Sequence, residues 1–277
     1  MFKQIIAAID FSPAWTQLQA HLERLPRLGC QRVTLVYVMA ESYAQAPQLS
    51  HAQHYESRLA EAAEALRVTA QIEVDWALRV GPVVPELIAA AAETRAEALL
   101  VGSQGHGVLH DLLLGRTALD LVRLADRPVL LAPINGRQPE PMPRQCRPLL
   151  ATDGSAAAAG AEALFLESLP HCARGAAVSV GPWQECDGPG DAKACIERHL
   201  DALLRRVGTA DPFDVVLVEQ GQPSMEIVRV AEEQNADMII IGRRGHNRLQ
   251  ELLLGSTAEG VCRASQRLVV LVPATAS

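Results

Sequence analysis

The chain carries a second copy of itself. Residues 99–133, LLVGSQGHGVLHDLLLGRTALDLVRLADRPVLLAP, lie without a gap over residues 239–273, IIIGRRGHNRLQELLLGSTAEGVCRASQRLVVLVP, at an offset of 140. Of these 35 positions 15 are identical, and nine of the others exchange one apolar residue for another. Upstream, IIAAIDFS at 5–12 matches LLATDGS at 149–155, with Asp10 over Asp153. A repeat of about 135 residues is the size of one α/β domain, far longer than a solenoid unit. Domains are expected at 1–134 and 148–277. The four prolines of NGRQPEPMPRQCRP (135–148), three of them within 135–147, make 135–147 an extended linker.

Within each copy short apolar runs alternate with helical patterns. In the first, strands are expected at 5–9, 33–39, 71–79, 98–101 and 129–132. Ser12-Pro13 supplies an N-cap and a favoured first residue for a helix to about residue 28. Further helices are expected at 52–66 and 85–94 and from Thr117. The second copy reads as strands at 149–151, 176–180, 214–219, 238–241 and 268–272, with helices at 156–169, 192–207, 224–235 and 257–264. Uniformly apolar strands separated by helices imply a parallel sheet buried on both faces. The fold class is therefore α/β, two tandem doubly wound domains of five parallel strands with helices on both faces. Ligands of such sheets lie beyond the carboxyl ends of the strands.

Composition narrows the function. With 25 Lys+Arg against 32 Asp+Glu the net charge is −7, which argues against a nucleic-acid partner needing a basic face. Only two cations are lysines, Lys3 and Lys193, and G-x-x-x-x-G-K-[ST] is absent, so this is not a P-loop ATPase. Nor is there a G-x-G-x-x-G dinucleotide turn or a G-x-S-x-G elbow. No apolar run reaches the roughly 18 residues of a membrane span, and no signal peptide is read at the start. The six cysteines form no C-x-x-C pair. They read as free thiols of a cytoplasmic protein. No metal site is expected, because no His/Cys cluster accompanies them.

The stretch richest in chemistry is Gly242-Arg243-Arg244-Gly245, then nine residues, then Gly255-Ser256-Thr257. Gly242 follows an apolar strand, where a glycine lets the backbone turn and a ligand approach. Gly255-Ser256-Thr257 opens the next helix, whose free N–H groups and dipole form an anion site. Asp153 ends the first strand of the same copy. It suits an adenine amino group or a ribose hydroxyl and would repel phosphate; the competing reading makes it a helix cap. Arg243 and Arg244 screen phosphate charge or form a solvated pair. His106 and His246 approach phosphate or stay in a solvated loop.

On these residues the chain resembles the universal stress protein family in a tandem two-domain form. The glycine motif, the strand-one aspartate and the prolines after the last strands, Pro133 and Pro273, carry the likeness together. The resemblance implies strand order 3-2-1-4-5 and ATP in the groove, with ADP or AMP as alternatives and Mg accompanying the nucleotide. It implies that Asp153 meets the adenine end and Val180 lines the base. Ile241, Gly242, Arg244 and Gly245 sit by the ribose and phosphates, which Gly255, Ser256 and Thr257 hold. The set in copy one is Asp10, Val38, Gly102, Gly105, Gly115, Arg116 and Thr117. There Phe11 replaces the glycine after the aspartate. Arg116 replaces the first hydroxyl, to fill the site or pair with Asp111. Copy two is therefore expected to be the main nucleotide site.

The function implied is a nucleotide-responsive regulator or interaction module in stress response. Slow ATP hydrolysis or adenylate transfer, and a nucleotide-free scaffold, are the alternatives. No general base is placed, and DGSAAAAG only faintly suggests an adenylating loop. The last strands, 129–132 and 268–272, are expected to pair as an intramolecular pseudo-dimer. A homodimer and a protein partner of unknown identity complete the expected associations.

Overall fold

The computed structural model describes residues 1–39, 49–104, 114–136, 145–183, 191–208, 212–245 and 254–274. The chain divides into two compact units, Met1–Met142 and Pro143–Ser277.

The first unit runs β1 (Gln4–Ala8), α1 (Trp15–Leu22), β2 (Arg32–Met39), α2 (Leu49–Ala70), β3 (Glu73–Val80), α3 (Val83–Glu93), β4 (Ala98–Gly102), α4 (Arg116–Leu124) and β5 (Val129–Ala132). Its strands lie in the order β3-β2-β1-β4-β5, every neighbouring pair parallel. The second repeats this with β6 (Pro148–Ala151), α5 (Ala159–Ser168), β7 (Gly175–Val180), α6 (Ala192–Val207), β8 (Phe213–Val218), α7 (Pro223–Glu233), β9 (Met238–Gly242), α8 (Ser256–Ala264) and β10 (Leu268–Val272). Its order is β8-β7-β6-β9-β10, again parallel throughout. The chain winds outward from the first strand in one direction and then in the other. Crossovers of one hand therefore put helices on opposite faces. The connections diverge between the first and fourth strands, which leaves a crevice at their carboxyl ends.

The core is aliphatic. Ile5, Ile6, Leu99 and Leu100 of the first unit and Leu149, Leu150, Ile239 and Ile240 of the second are buried. Each contributes roughly 2 kcal/mol of transfer free energy. On α2 the buried residues Leu59, Ala63, Leu66 and Ala70 recur at helical spacing. On α6 the stripe is Ile196, Leu200 and Leu203. The bounds of α6 match the sequence reading because both ends are marked: Asp191 accepts from the Ala194 N–H at 2.9 Å, and Gly208 closes the helix at φ 70°.

The first helix differs from expectation. Ser12 does not cap it; its Oγ accepts from the Ala14 N–H, and α1 begins at Trp15. It stops at Leu22, and Leu25–Leu28 is a separate 3-10 turn. Pro26 is the cause, since its ring collides with the carbonyl four residues back, that of Leu22. In the second unit Pro170 likewise sits in a 3-10 turn, Leu169–His171, after α5.

Candidate functional site

In the second unit β6 is followed by Thr152, Asp153 and Gly154. Gly154 takes φ +73°, a left-handed turn that glycine adopts freely. The Asp153 Oδ1 accepts from the Ser155 N–H at 3.0 Å, so the carboxylate is fixed within its own turn. The 3-10 turn that follows, Ala156–Ala158, has no side-chain cap. The other carboxylate oxygen faces Gly245, where a Cβ would stand 2.6 Å from Oδ2.

The glycine loop is closed by main-chain atoms. The Arg243 N–H donates to the Val272 carbonyl at 2.8 Å, and the Gly255 N–H donates back to the Arg243 carbonyl at 2.9 Å. This delivers Gly255 to the start of α8, whose N-cap it is, with no side chain satisfying the first turn. The first N–H groups of a nine-residue helix thus point outward with the positive end of its dipole. The Arg244 Nε is buried without a hydrogen-bond partner among the described residues.

One cavity of about 560 Å³ collects these groups. All nine residues expected in copy two line it: Asp153, Val180, Ile241, Gly242, Arg244, Gly245, Gly255, Ser256 and Thr257. Beyond the end of β7 the wall continues through Pro182 and Trp183. The Trp183 indole N–H donates to Ser179 Oγ at 3.0 Å, which holds the ring in place. Beneath the Asp153 turn lies a buried polar chain. The Gly154 N–H donates to Thr152 Oγ1 (3.0 Å), Thr152 donates to Glu162 Oε1 (2.5 Å), and His199 Nε2 meets the same oxygen at 2.8 Å. The hydrogen bond to Glu162 raises the His199 pKa, with Glu162 and Asp153 adding Coulomb attraction; burial and Arg206 oppose it.

The first unit repeats the frame and changes the lining. Ser103 N–H to Ala132 O and Gly115 N–H to Ser103 O, both 2.8 Å, close the same ring. The Asp10 Oδ1 accepts from the Ser12 N–H at 2.9 Å, as Asp153 does from Ser155. The cavity is smaller, about 350 Å³, and contains Asp10, Val38, Gly102, Gly115, Arg116 and Thr117. Phe11, at φ 52°, begins an aromatic cluster. Its ring lies 5.9 Å from Trp15 and 5.7 Å from Tyr37, while Tyr37 stacks on Tyr55 at 4.3 Å. Trp15 and Tyr37 face the cavity. Burial, then the hydrogen bond with Tyr55, pushes the Tyr37 phenol well above its ordinary value. A larger depression of about 720 Å³, at Pro26, Cys30, Arg67 and Asp75, lacks the glycine turns and the helix N-terminus.

A sequence profile of the universal stress protein family matches residues 1–133 and again 149–273. The chain belongs to the universal stress protein family. The universal stress protein Rv2623 of Mycobacterium tuberculosis is 27% identical over 303 residues, covering 96% of this chain and 95% of its own. One from Mycolicibacterium smegmatis is 24% identical over 299 residues, covering 96% and 93%. In fold the chain is similar to a universal stress protein of Archaeoglobus fulgidus, with TM-score 0.72 at 21% identity over 98% of this chain and 96% of that one. A putative one from Pseudomonas aeruginosa superposes with TM-score 0.65 at 17% identity, over 98% and 93%.

In this tandem universal stress protein three sequence readings need correction. The Arg116 side chain does not fill the first cavity: it is 96% exposed and pairs with Asp120 at 3.7 Å. Its place at the first turn of α4 sends it outward, where the i,i+4 carboxylate of Asp120 meets it. The expected partner Asp111 lies outside the described residues, as do Gly105, His106 and His246. Second, Asp153 acts locally through the Ser155 amide rather than as the cap of α5. Third, the cysteines are not all free thiols, since Cys195 is disulfide-bonded; Cys186 lies outside the described residues. Sequence reasoning missed Trp183, Tyr37 and the Thr152–Glu162–His199 chain. The Gly-Pro-Trp run after an apolar strand is a usable signal for the first. The polar chain joins residues far apart in sequence and has none.

Proposed function

We propose that the second domain binds an adenine nucleotide, ATP in the first place, and that the protein is a nucleotide-responsive regulator or interaction module in stress response. The observation that carries this reading is one cavity holding both a carboxylate and anion donors. Asp153, Arg244 and the open first turn of α8 all line it, and the Arg244 Nε is buried without a partner among the described residues. A base amino group or ribose hydroxyl suits the carboxylate, and phosphates suit the amides, hydroxyls and guanidinium. At Gly242 and Gly245 an added Cβ would stand 3.0 Å from the Arg244 carbonyl oxygen and 2.6 Å from Asp153 Oδ2, so glycine lets the loop pack close against the Asp153 turn. ADP and AMP use the same donors less fully, and Mg would travel with the nucleotide. The first domain, with its smaller aromatic cavity and outward Arg116, is the weaker or differently occupied site.

The test is mass spectrometry of the small molecule released from purified protein, followed by calorimetric titration with ATP, ADP and AMP. Release and saturable binding of an adenine nucleotide without turnover support the reading. Product accumulation abolished by Asp153→Ala supports slow hydrolysis or adenylate transfer. No binding of any nucleotide leaves a scaffold. No described helix is long and apolar enough to cross a membrane, and a cytoplasmic location is part of the proposal. So are a homodimer and the pairing of the two domains as an intramolecular pseudo-dimer, which the sequence repeat suggests. Cysteines introduced on the last strands that cross-link only between chains would refute the pseudo-dimer.

A further inference from the structure

Among the described residues the four free thiols fall into two groups. Cys30 and Cys262 are buried, and burial pushes each up to about 12. Cys172 is half-buried, and a hydrogen bond with the Cys146 thiol, ahead of the burial that opposes it, holds it below its ordinary value. The backbone explains the contact. The Ala173 N–H donates to the Cys146 carbonyl at 2.8 Å, so the two chain segments are pinned side by side just before β6 and β7. In the first unit Gln31 donates to Lys3 in the same way at 2.9 Å. The repeat therefore places Cys30 where the second unit has Cys172, and Lys3 where it has Cys146. Cys30 has no second thiol facing it and gives its S–H to the Arg32 carbonyl. Only the second unit sets two thiols face to face.

We propose that Cys146 and Cys172 are a reversible dithiol–disulfide site, oxidised by a hydroperoxide. The Cys172 thiolate attacks the peroxide: an S–O bond forms, the O–O bond breaks, and the leaving oxygen takes a proton as water or alcohol. The Cys172 sulfenic acid is then attacked by the Cys146 sulfur, which gives up its proton. The S–S bond forms, the S–O bond breaks, and the hydroxyl leaves as water. Two thiols and one hydroperoxide thus become one disulfide, one alcohol or water, and one water. The closed loop spans 147–171. It includes β6, the Asp153 turn and α5, so oxidation staples one wall of the cavity. The site does not depend on what the cavity binds.

The experiment treats the reduced full chain with hydrogen peroxide and maps its peptides without reduction, separating this linkage from the disulfide at Cys195. Before oxidation, Cys172 should react with iodoacetamide about tenfold or more faster than Cys30 and Cys262, following thiolate fraction and access. After it, a Cys146–Cys172 peptide should appear and vanish with dithiothreitol. The oxidised protein should melt about 5 °C higher than the reduced form, as expected for closing a loop of this length. In Cys146→Ser the sulfenic acid at Cys172 should persist and be trapped by dimedone, and the melting shift should disappear. Cys172 running on to sulfinic acid beside a reduced Cys146 in the wild type, or joining a different cysteine, would overturn the proposal.

Discussion

Adding one methyl group at Gly245 tests the cavity at its tightest contact. The backbone there is not left-handed, so alanine brings no φ strain. The new Cβ would stand 2.6 Å from Asp153 Oδ2, closer than carbon and oxygen approach without repulsion. The carboxylate must swing away, and the Oδ1 bond to the Ser155 amide at 3.0 Å is what it gives up. A hydrogen bond to a charged group is worth about 1.5–3 kcal/mol. A displaced carboxylate also forfeits the comparable hydrogen bond it is proposed to make to the nucleotide, so we expect a loss of about 1.5 kcal/mol in nucleotide binding, or about tenfold in Kd. Calorimetry should be run as a double-mutant cycle with Asp153→Ala. Once the carboxylate is gone, Gly245→Ala should cost little further, because nothing is left to collide with. Equal tenfold losses in both backgrounds, or none in either, would refute the idea that this glycine exists to seat Asp153.

Three further outcomes are expected. The His199 pKa is raised above 6.5 by Glu162. Its stabilising effect is therefore complete below the unfolded value and is lost as pH rises through the folded one. The melting difference between wild type and His199→Gln should be largest in mild acid and shrink on going alkaline, and a flat difference would contradict it. At Gly260 an added Cβ would stand 2.6 Å from Ser224 Cβ and Oγ, where α7 meets α8. Gly260→Ala should destabilise by about 1–3 kcal/mol and lower the melting temperature by several degrees; an unchanged melt would count against this contact. Gly255→Val should weaken ATP binding more than Gly115→Val in calorimetry, since the second cavity holds the Arg244 Nε, unpartnered among the described residues. Equal losses would reverse the ranking of the domains.

What could be read from the sequence was what repeats or what is local. Two strands and one helix, Val129–Ala132, Leu268–Val272 and Ala192–Val207, fall at the expected bounds because apolar runs or caps mark their ends. The glycine spacing located both cavities, since a motif repeated at strand ends reports a backbone constraint. Pro26 was legible in principle, but the helical pattern of its neighbours masked the break. Other features depend on tertiary contact. Phe11, Tyr37 and Tyr55 meet only once three elements pack. Glu162 and His199 lie 37 residues apart on different helices. The outward turn of Arg116 depends on the orientation of its helix, which composition does not encode.

The two loop closures, Gly115 to Ser103 and Gly255 to Arg243, use only peptide groups. Such a clasp is indifferent to which side chain occupies the accepting position, and serine serves in one half as arginine does in the other. Ancestral duplication could therefore diverge in ligand preference without unmaking the scaffold. One half carries the Phe11–Tyr37 aromatic cluster beside its cavity and the other Trp183, on the same clasp.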